Sequence, residues 1–252
     1  MTQKMKVVPY YNDVLEALDQ AHCPLCRLLA RGADRYIDAM LWAMVNDPAS
    51  REVVRASRGF CHPHAWMFIR GGAALGVTIV MDSVIRKLME VMAANPLDQA
   101  APLQQLRRAL RLPQAEGPTK LADDLGPQTP CPICTSLNPL EEGYASMLLE
   151  NMLGPKPLLE PFRQSDGLCL PHLQYVLKIA TPGEPLQALL DAQQSIWGRL
   201  QGELAEFIRK YDHRFAHEPI GAEGDAWQRA LSTISGPAVD AFEQSGNIFH
   251  RR

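Results

Sequence analysis

The chain lacks a long hydrophobic run, an excess of charge of one sign, and any stretch in which apolar and polar residues alternate. Each absence removes a class of protein. The longest uncharged apolar stretch, Gly71 to Met81, falls well short of the roughly 20 residues a membrane helix needs. The N-terminal MTQKMKVVPYYNDV has no apolar core of signal-peptide length, so a cytoplasmic protein is expected. Lys+Arg 25 against Asp+Glu 28 leaves a net charge of −3, which gives no overall reason to bind nucleic acid or an anionic membrane. What is present, 252 residues of which 46% are hydrophobic, suffices for one large domain or two smaller ones.

Six cysteines carry the chemistry. In a reducing compartment they read as metal ligands or redox groups rather than as disulfides. Cys131, Cys134 and Cys169 each lie 108 residues after Cys23, Cys26 and Cys61. Laying residues 23–64 on 131–172 without a gap gives 14 identities in 42 positions, against roughly one in sixteen by composition, so the spacing predicts an internal duplication. The identities reach beyond the cysteines and include Tyr36 with Tyr144, Glu52 with Glu160, Arg55 with Arg163, Ser57 with Ser165 and Gly59 with Gly167. Each half reads C-P-x-C, then 34 residues, then C-x-P-H. The repeat chooses between two neighbouring histidines, because His64 falls on His172 whereas His62 falls on Leu170. The expected ligand sets are Cys23, Cys26, Cys61 and His64, and Cys131, Cys134, Cys169 and His172. Cys3His is a closed tetrahedral zinc set with no open position for water or substrate.

Apolar residues recur at helical spacing almost throughout, which predicts an all-α fold. Asn12 is placed to cap a first short helix. Pro24 and Pro132 open helices reaching about Asn46 and Met152, Pro48 opens a short helix to about Ser57, and Gly59 breaks it. Pro63 is expected to start one long helix running through Met92, and a further helix is expected from Leu103 to Leu110. Pro171 opens the matching helix of the second half, interrupted at TPGEP and resumed from Leu186 to Tyr211; AWQRALSTIS forms a last helix ending at Gly236. Each ligand pair then sits on the first turn of a helix, where residues three apart share a face and the helix dipole favours thiolate. The expected organisation is a helical pseudo-dimer: residues 1–111 and 131–252 as halves, each organised by a Cys3His metal site, joined by a Pro/Gly-rich linker at 112–130.

Other readings of the same residues are an iron–sulfur centre and thiol redox chemistry at CPLC and CPIC. Covalent haem is excluded, since Arg27 and Thr135 stand where C-x-x-C-H requires histidine. Arg55 and Arg163, with Glu52 and Glu160, read either as exposed ion pairs or as groups that neutralise a site of three thiolates, one imidazole and one dication. Tyr36 and Tyr144 read as packing residues, GGAALGVTIV as a close helix crossing, and His213 with His217 as an exposed polar turn. Charge is uneven: +4 over residues 1–120 and −7 over 121–252. That serves docking of the halves, or leaves a basic face for nucleic acid around Arg107, Arg108 and Arg111.

The segments CPLC, GFCHPHAW, ALGV, CPIC, GLCLPH, FIRKYDHRF and EGDAWQRAL together resemble an uncharacterised prokaryotic family known only as a domain of unknown function, over about Cys23 to Gly236. The resemblance implies a helical protein with duplicated ligand motifs and no established activity. No acid–base or nucleophile constellation is present, so an enzyme is not expected. The expected function is a zinc-binding interaction or adaptor protein, or a small-ligand-binding module, holding two zinc ions and acting with a protein or small-molecule partner.

Overall fold

The computed structural model describes residues 10–44, 46–95, 110, 117–215 and 217–238. All regular structure among these residues is helical. In chain order the helices are α1 (Tyr11–Leu18), α2 (Pro24–Ala39), α3 (Pro48–Ala56), α4 (His62–Trp66), α5 (Ala74–Ala94), α6 (Gly117–Leu125), α7 (Pro132–Glu150), α8 (Leu159–Gln164), α9 (Leu170–Ile179), α10 (Glu184–Lys210) and α11 (Ala226–Ser235). A π-helical turn, Met40–Met44, continues α2, and a 3₁₀ turn, Ala222–Asp225, precedes α11.

Local chemistry explains most boundaries. Asp47 caps α3 by accepting from the Ser50 N–H at 2.8 Å, and Pro48 occupies the first helical position. Asn12 caps nothing. It lies inside α1, whose N-cap is Tyr10 in a left-handed conformation. The long helix expected from Pro63 is two helices, because the chain leaves α4 after Trp66 and turns at Gly72 (φ 77°) before α5 begins. Within the expected linker, residues 117–125 form α6. The expected helix over 103–110, and Arg107, Arg108 and Arg111, lie outside the described residues or outside any described element.

The chain divides into two compact units that do not follow the sequence halves 1–111 and 131–252. Of the described residues, the first takes 10–32 and those from 137 to 238, and the second takes those between Ala33 and Ser136. The core of the first unit joins Val14, Leu18, Leu25 and Leu28 to Leu148, Met152, Phe162, Leu168, Leu173 and Leu189. Cys23 and Cys169 belong to this core. Gly32 makes α2 and α7 a close crossing in this unit: a β-carbon there would lie 2.8 Å from Leu137 Cδ2. In the second unit Ile37, Met40, Val54, Phe68, Val80, Val84 and Ile133 are buried. There α5 packs on α3 and α6, and Arg70 bonds Asp34 and Asp38 of α2.

Candidate metal centres

Each unit contains one complete group of three cysteines and one histidine. In the first unit the group is Cys23, Cys26, Cys169 and His172; in the second it is Cys61, His64, Cys131 and Cys134; each group's ligand atoms lie within 4.8 Å of one another. The eight residues are those expected from the repeat, but the pairing is not. Each C-P-x-C arm meets the C-x-P-H arm of the other sequence half, so the sets Cys23–Cys26–Cys61–His64 and Cys131–Cys134–Cys169–His172 do not form.

The helix starts place the ligands. Cys61 and Cys169 are the N-cap residues of α4 and α9, with a proline in the first turn and the histidine three residues on. Cys23 and Cys131 immediately precede Pro24 and Pro132, and Cys26 and Cys134 lie in the first turns of α2 and α7. Each centre is therefore two helix N-termini facing each other, whose free N–H groups and dipoles favour negative sulfur.

In the first centre His172 Nδ1 lies 3.5, 3.1 and 3.2 Å from the sulfurs of Cys23, Cys26 and Cys169, and Cys26 Sγ is 3.6 Å from Cys169 Sγ. In the second, His64 Nδ1 lies 3.2, 3.7 and 3.4 Å from Cys61, Cys131 and Cys134, and Cys61 Sγ is 3.7 Å from Cys134 Sγ. None of the cysteines is in a disulfide. His62 points elsewhere: its Nε2 accepts from Trp66 Nε1 at 3.2 Å.

Crowding splits the thiols. Burial raises Cys131, but its contact with His64 and the N–H groups of Cys134, Cys61 and Ile133 outweigh this and bring it down to about 6. Cys134 is pushed up to about 12 by burial and by Cys61. In the first centre burial opposes ionisation of Cys23, yet Cys169, Cys26 and His172 hold it well below the ordinary thiol range, while contact with Cys169 and Cys23 pushes Cys26 up. Burial lowers His172, but the neighbouring thiols overcome this and lift it to about 10. Three sulfurs so close share their charge unequally on their own; a dication among them would let all three ionise.

Supporting residues include some that the repeat marks and some, Gln193, Glu141, Asp166 and Arg58, that the sequence did not single out. Ser165 Oγ donates to the Phe162 carbonyl and accepts from the Gly167 N–H, and Ser57 Oγ bonds the carbonyls of Val53, Val54 and Gly59. Gly59 and Gly167 take φ values of 98° and 70°. The repeat contains these serines and glycines, and that identity was their available signal. Gln193 of α10 accepts from the Leu168 N–H at 2.8 Å and donates to the Leu168 carbonyl at 3.2 Å. Glu141 Oε1 lies 3.6 Å from His172 Nε2. Asp166 accepts from the His22 N–H at 2.6 Å, anchoring the chain just before Cys23. In the second unit Arg58 donates to the Asp124 carbonyl at 2.7 Å, close to the approach to Cys131.

Of the two readings of the repeated arginines and glutamates, the ion pair is the one seen at Arg55. Arg55 pairs with Glu52, and Arg163 is exposed with its carbonyl bonded by Arg199. Glu160 accepts from Gln164. Tyr36 is half-buried; burial, with Cys131 nearby, raises its hydroxyl. Tyr144 is buried and packs edge-on against Tyr10. His213 is exposed beside Asp212 in a turn.

A family model covers residues 1–241, and its description is a family of unknown function, DUF6062. The chain belongs to this family. It is also 22% identical, over 88% of its own length and 99% of the relative's, to an uncharacterized 23.9 kDa protein in the xynA 3′ region of Caldicellulosiruptor sp. (strain Rt8B.4). No solved structure matches the chain. Among the described residues no helix is long and apolar enough to cross a membrane. The membership therefore supplies no activity, and the two centres are what the functional reading rests on.

Proposed function

We propose that the protein holds two structural zinc ions, one in each Cys3His group, and serves as a zinc-stabilised helical interaction or adaptor module. The observation that carries this reading is the size of the two groups. A tetrahedral zinc with bonds of about 2.3 Å to sulfur and about 2.0–2.1 Å to nitrogen sets its ligand atoms about 3.5–3.8 Å apart. Every histidine–sulfur separation and one sulfur–sulfur separation in each group lie between 3.1 and 3.7 Å, and all ligand atoms of a group lie within 4.8 Å of one another. Four such ligands fit one ion. An iron–sulfur cluster would spread them over two or more irons, and a working dithiol would need free access to one cysteine pair. Four protein ligands leave no position for substrate, so the metal is a folding device and not a catalyst.

Exposed apolar side chains support the interaction role. On α11, Trp227, Leu231 and Ile234 are 48%, 61% and 57% exposed and lie on one helix face. A cavity of about 220 Å³ in the first unit, walled in part by Cys23, Cys169, Arg199 and Ser232, offers room for a small ligand beside the metal. Elemental analysis of anaerobically purified protein tests the reading. About two zinc per chain in colourless protein is expected, with loss of helical signal on chelation; stoichiometric iron and brown colour would overturn it.

A further inference from the structure

We infer that the two ions are held unequally: the first centre keeps its metal, and the second is the exchangeable one, able to give zinc to a competing thiolate or imidazole chelator from solution. This rests on the two-zinc reading and concerns how each ion is guarded.

Three differences separate centres that share a donor set. The first is burial. Cys23 and Cys169 are only 3% and 2% exposed and belong to the main core, whereas all four ligands of the second centre are only partly buried. An incoming chelator replaces ligands one at a time, so each sulfur open to solvent is a point of entry.

The second difference is the support of the histidine. Glu141 faces His172 Nε2 from α7, with its side chain 22% exposed. From there the negative charge favours the ring as a donor, and loss of such a partner typically costs 10–100-fold in metal affinity. The position 108 residues earlier is Ala33, which is buried and has no polar atom to offer. The repeated sequence therefore supplies this carboxylate to one centre only.

The third difference is the turn that delivers the second ligand arm. Both turns use a serine and a positive-φ glycine, but α10 covers one of them. A β-carbon on Gly167 would meet Gln193 at 2.8 Å and Ile196 at 3.0 Å, whereas one on Gly59 would meet nothing within 4 Å. Gln193 also bonds both backbone groups of Leu168, immediately before Cys169. The turn before Cys61 has its own Ser57 bonds and open space above it. Its anchors are the Arg58 bond to the Asp124 carbonyl and the Phe60–Phe68 ring contact, and no side chain packs over Gly59 as Gln193 packs over Gly167.

The test starts from the full chain loaded with zinc and freed of excess, in which elemental analysis first establishes two zinc per chain. Excess of a chromogenic zinc chelator is then added and release is followed with time. Two phases of one equivalent each are expected, differing at least tenfold in rate. Cys134→Ser should remove the fast phase and leave the slow one. Glu141→Gln, which keeps all eight ligands, should speed the slow phase by about tenfold and leave the fast phase unchanged. Release of both equivalents in a single phase, or acceleration of the fast phase by Glu141→Gln, would overturn the inference while leaving the two-zinc reading intact. A loaded chain with fewer than two zinc would instead overturn that reading at the first step.

Discussion

At Gly167 the backbone has a φ of 70° and the space above it is filled by the amide of Gln193. Gly59 has the same handedness and empty space. A left-handed alanine costs about 1–2 kcal/mol at either position, and only Gly167→Ala must also displace the Gln193 clamp. Denaturant unfolding at a fixed excess of zinc, which keeps ligand linkage constant, should therefore show Gly167→Ala as the more destabilised variant. Glu223 gives a second prediction. Its carboxylate accepts from the Gly221 N–H at 2.8 Å and from Lys210 Nζ at 2.6 Å, and these hold it down at about 2, against an ordinary value of 4.5. A carboxyl depressed in the folded state stabilises fully above its unfolded value and loses that contribution as pH falls through the folded one. Glu223→Gln should thus speed hydrogen exchange in α11 at neutral pH, with the gap from the parent protein closing between pH 4.5 and 2.

The elements around the ligands were largely legible. Prolines 24, 48, 132 and 171 opened the helices they were expected to open, since a first-turn proline loses no hydrogen bond. The break between α4 and α5 was missed because Gly71, Gly72 and Ala73 fit a helical pattern and only the left-handed turn at Gly72 ends it. The pairing of the arms was not legible at all. Both pairings give two complete Cys3His sets, and spacing along the chain says nothing about which helix start faces which. That choice is made by tertiary packing, by the core that joins Leu25 and Leu28 to Leu168 and Leu173. Glu141 was invisible for the same reason, being one carboxylate among several on α7 until His172 is brought against it. Double substitution tests the pairing directly. Cys26→Ser with Cys169→Ser should disable one centre and leave one zinc per chain, whereas Cys26→Ser with Cys61→Ser should damage both and leave close to none.

For the molecule as a whole, the exchanged pairing changes what a bound metal would tie together. Cys26 and Cys169 are 143 residues apart, and Cys61 and Cys134 are 73 apart. Pairing within each sequence half would have closed far shorter loops. Closing the longer ones costs about 1 kcal/mol more each, which the roughly 10–16 kcal/mol of a structural zinc would exceed. Removal of both ions should consequently lower the melting temperature of the whole chain and not merely loosen a finger, as differential scanning calorimetry with and without chelator would show.

That topology also orders events in time. A ribosome releases Cys23, Cys26, Cys61 and His64 before any residue of the second half exists, and those four form a complete Cys3His set. Zinc captured at that moment would close the wrong ring, to be surrendered when Cys131 and Cys134, and last His172, emerge. The likeness of the two sets of arms would thus build a decoy into the nascent chain. Refolding with zinc present from the start should be slower than refolding with zinc added late, because a misplaced ion must first let go.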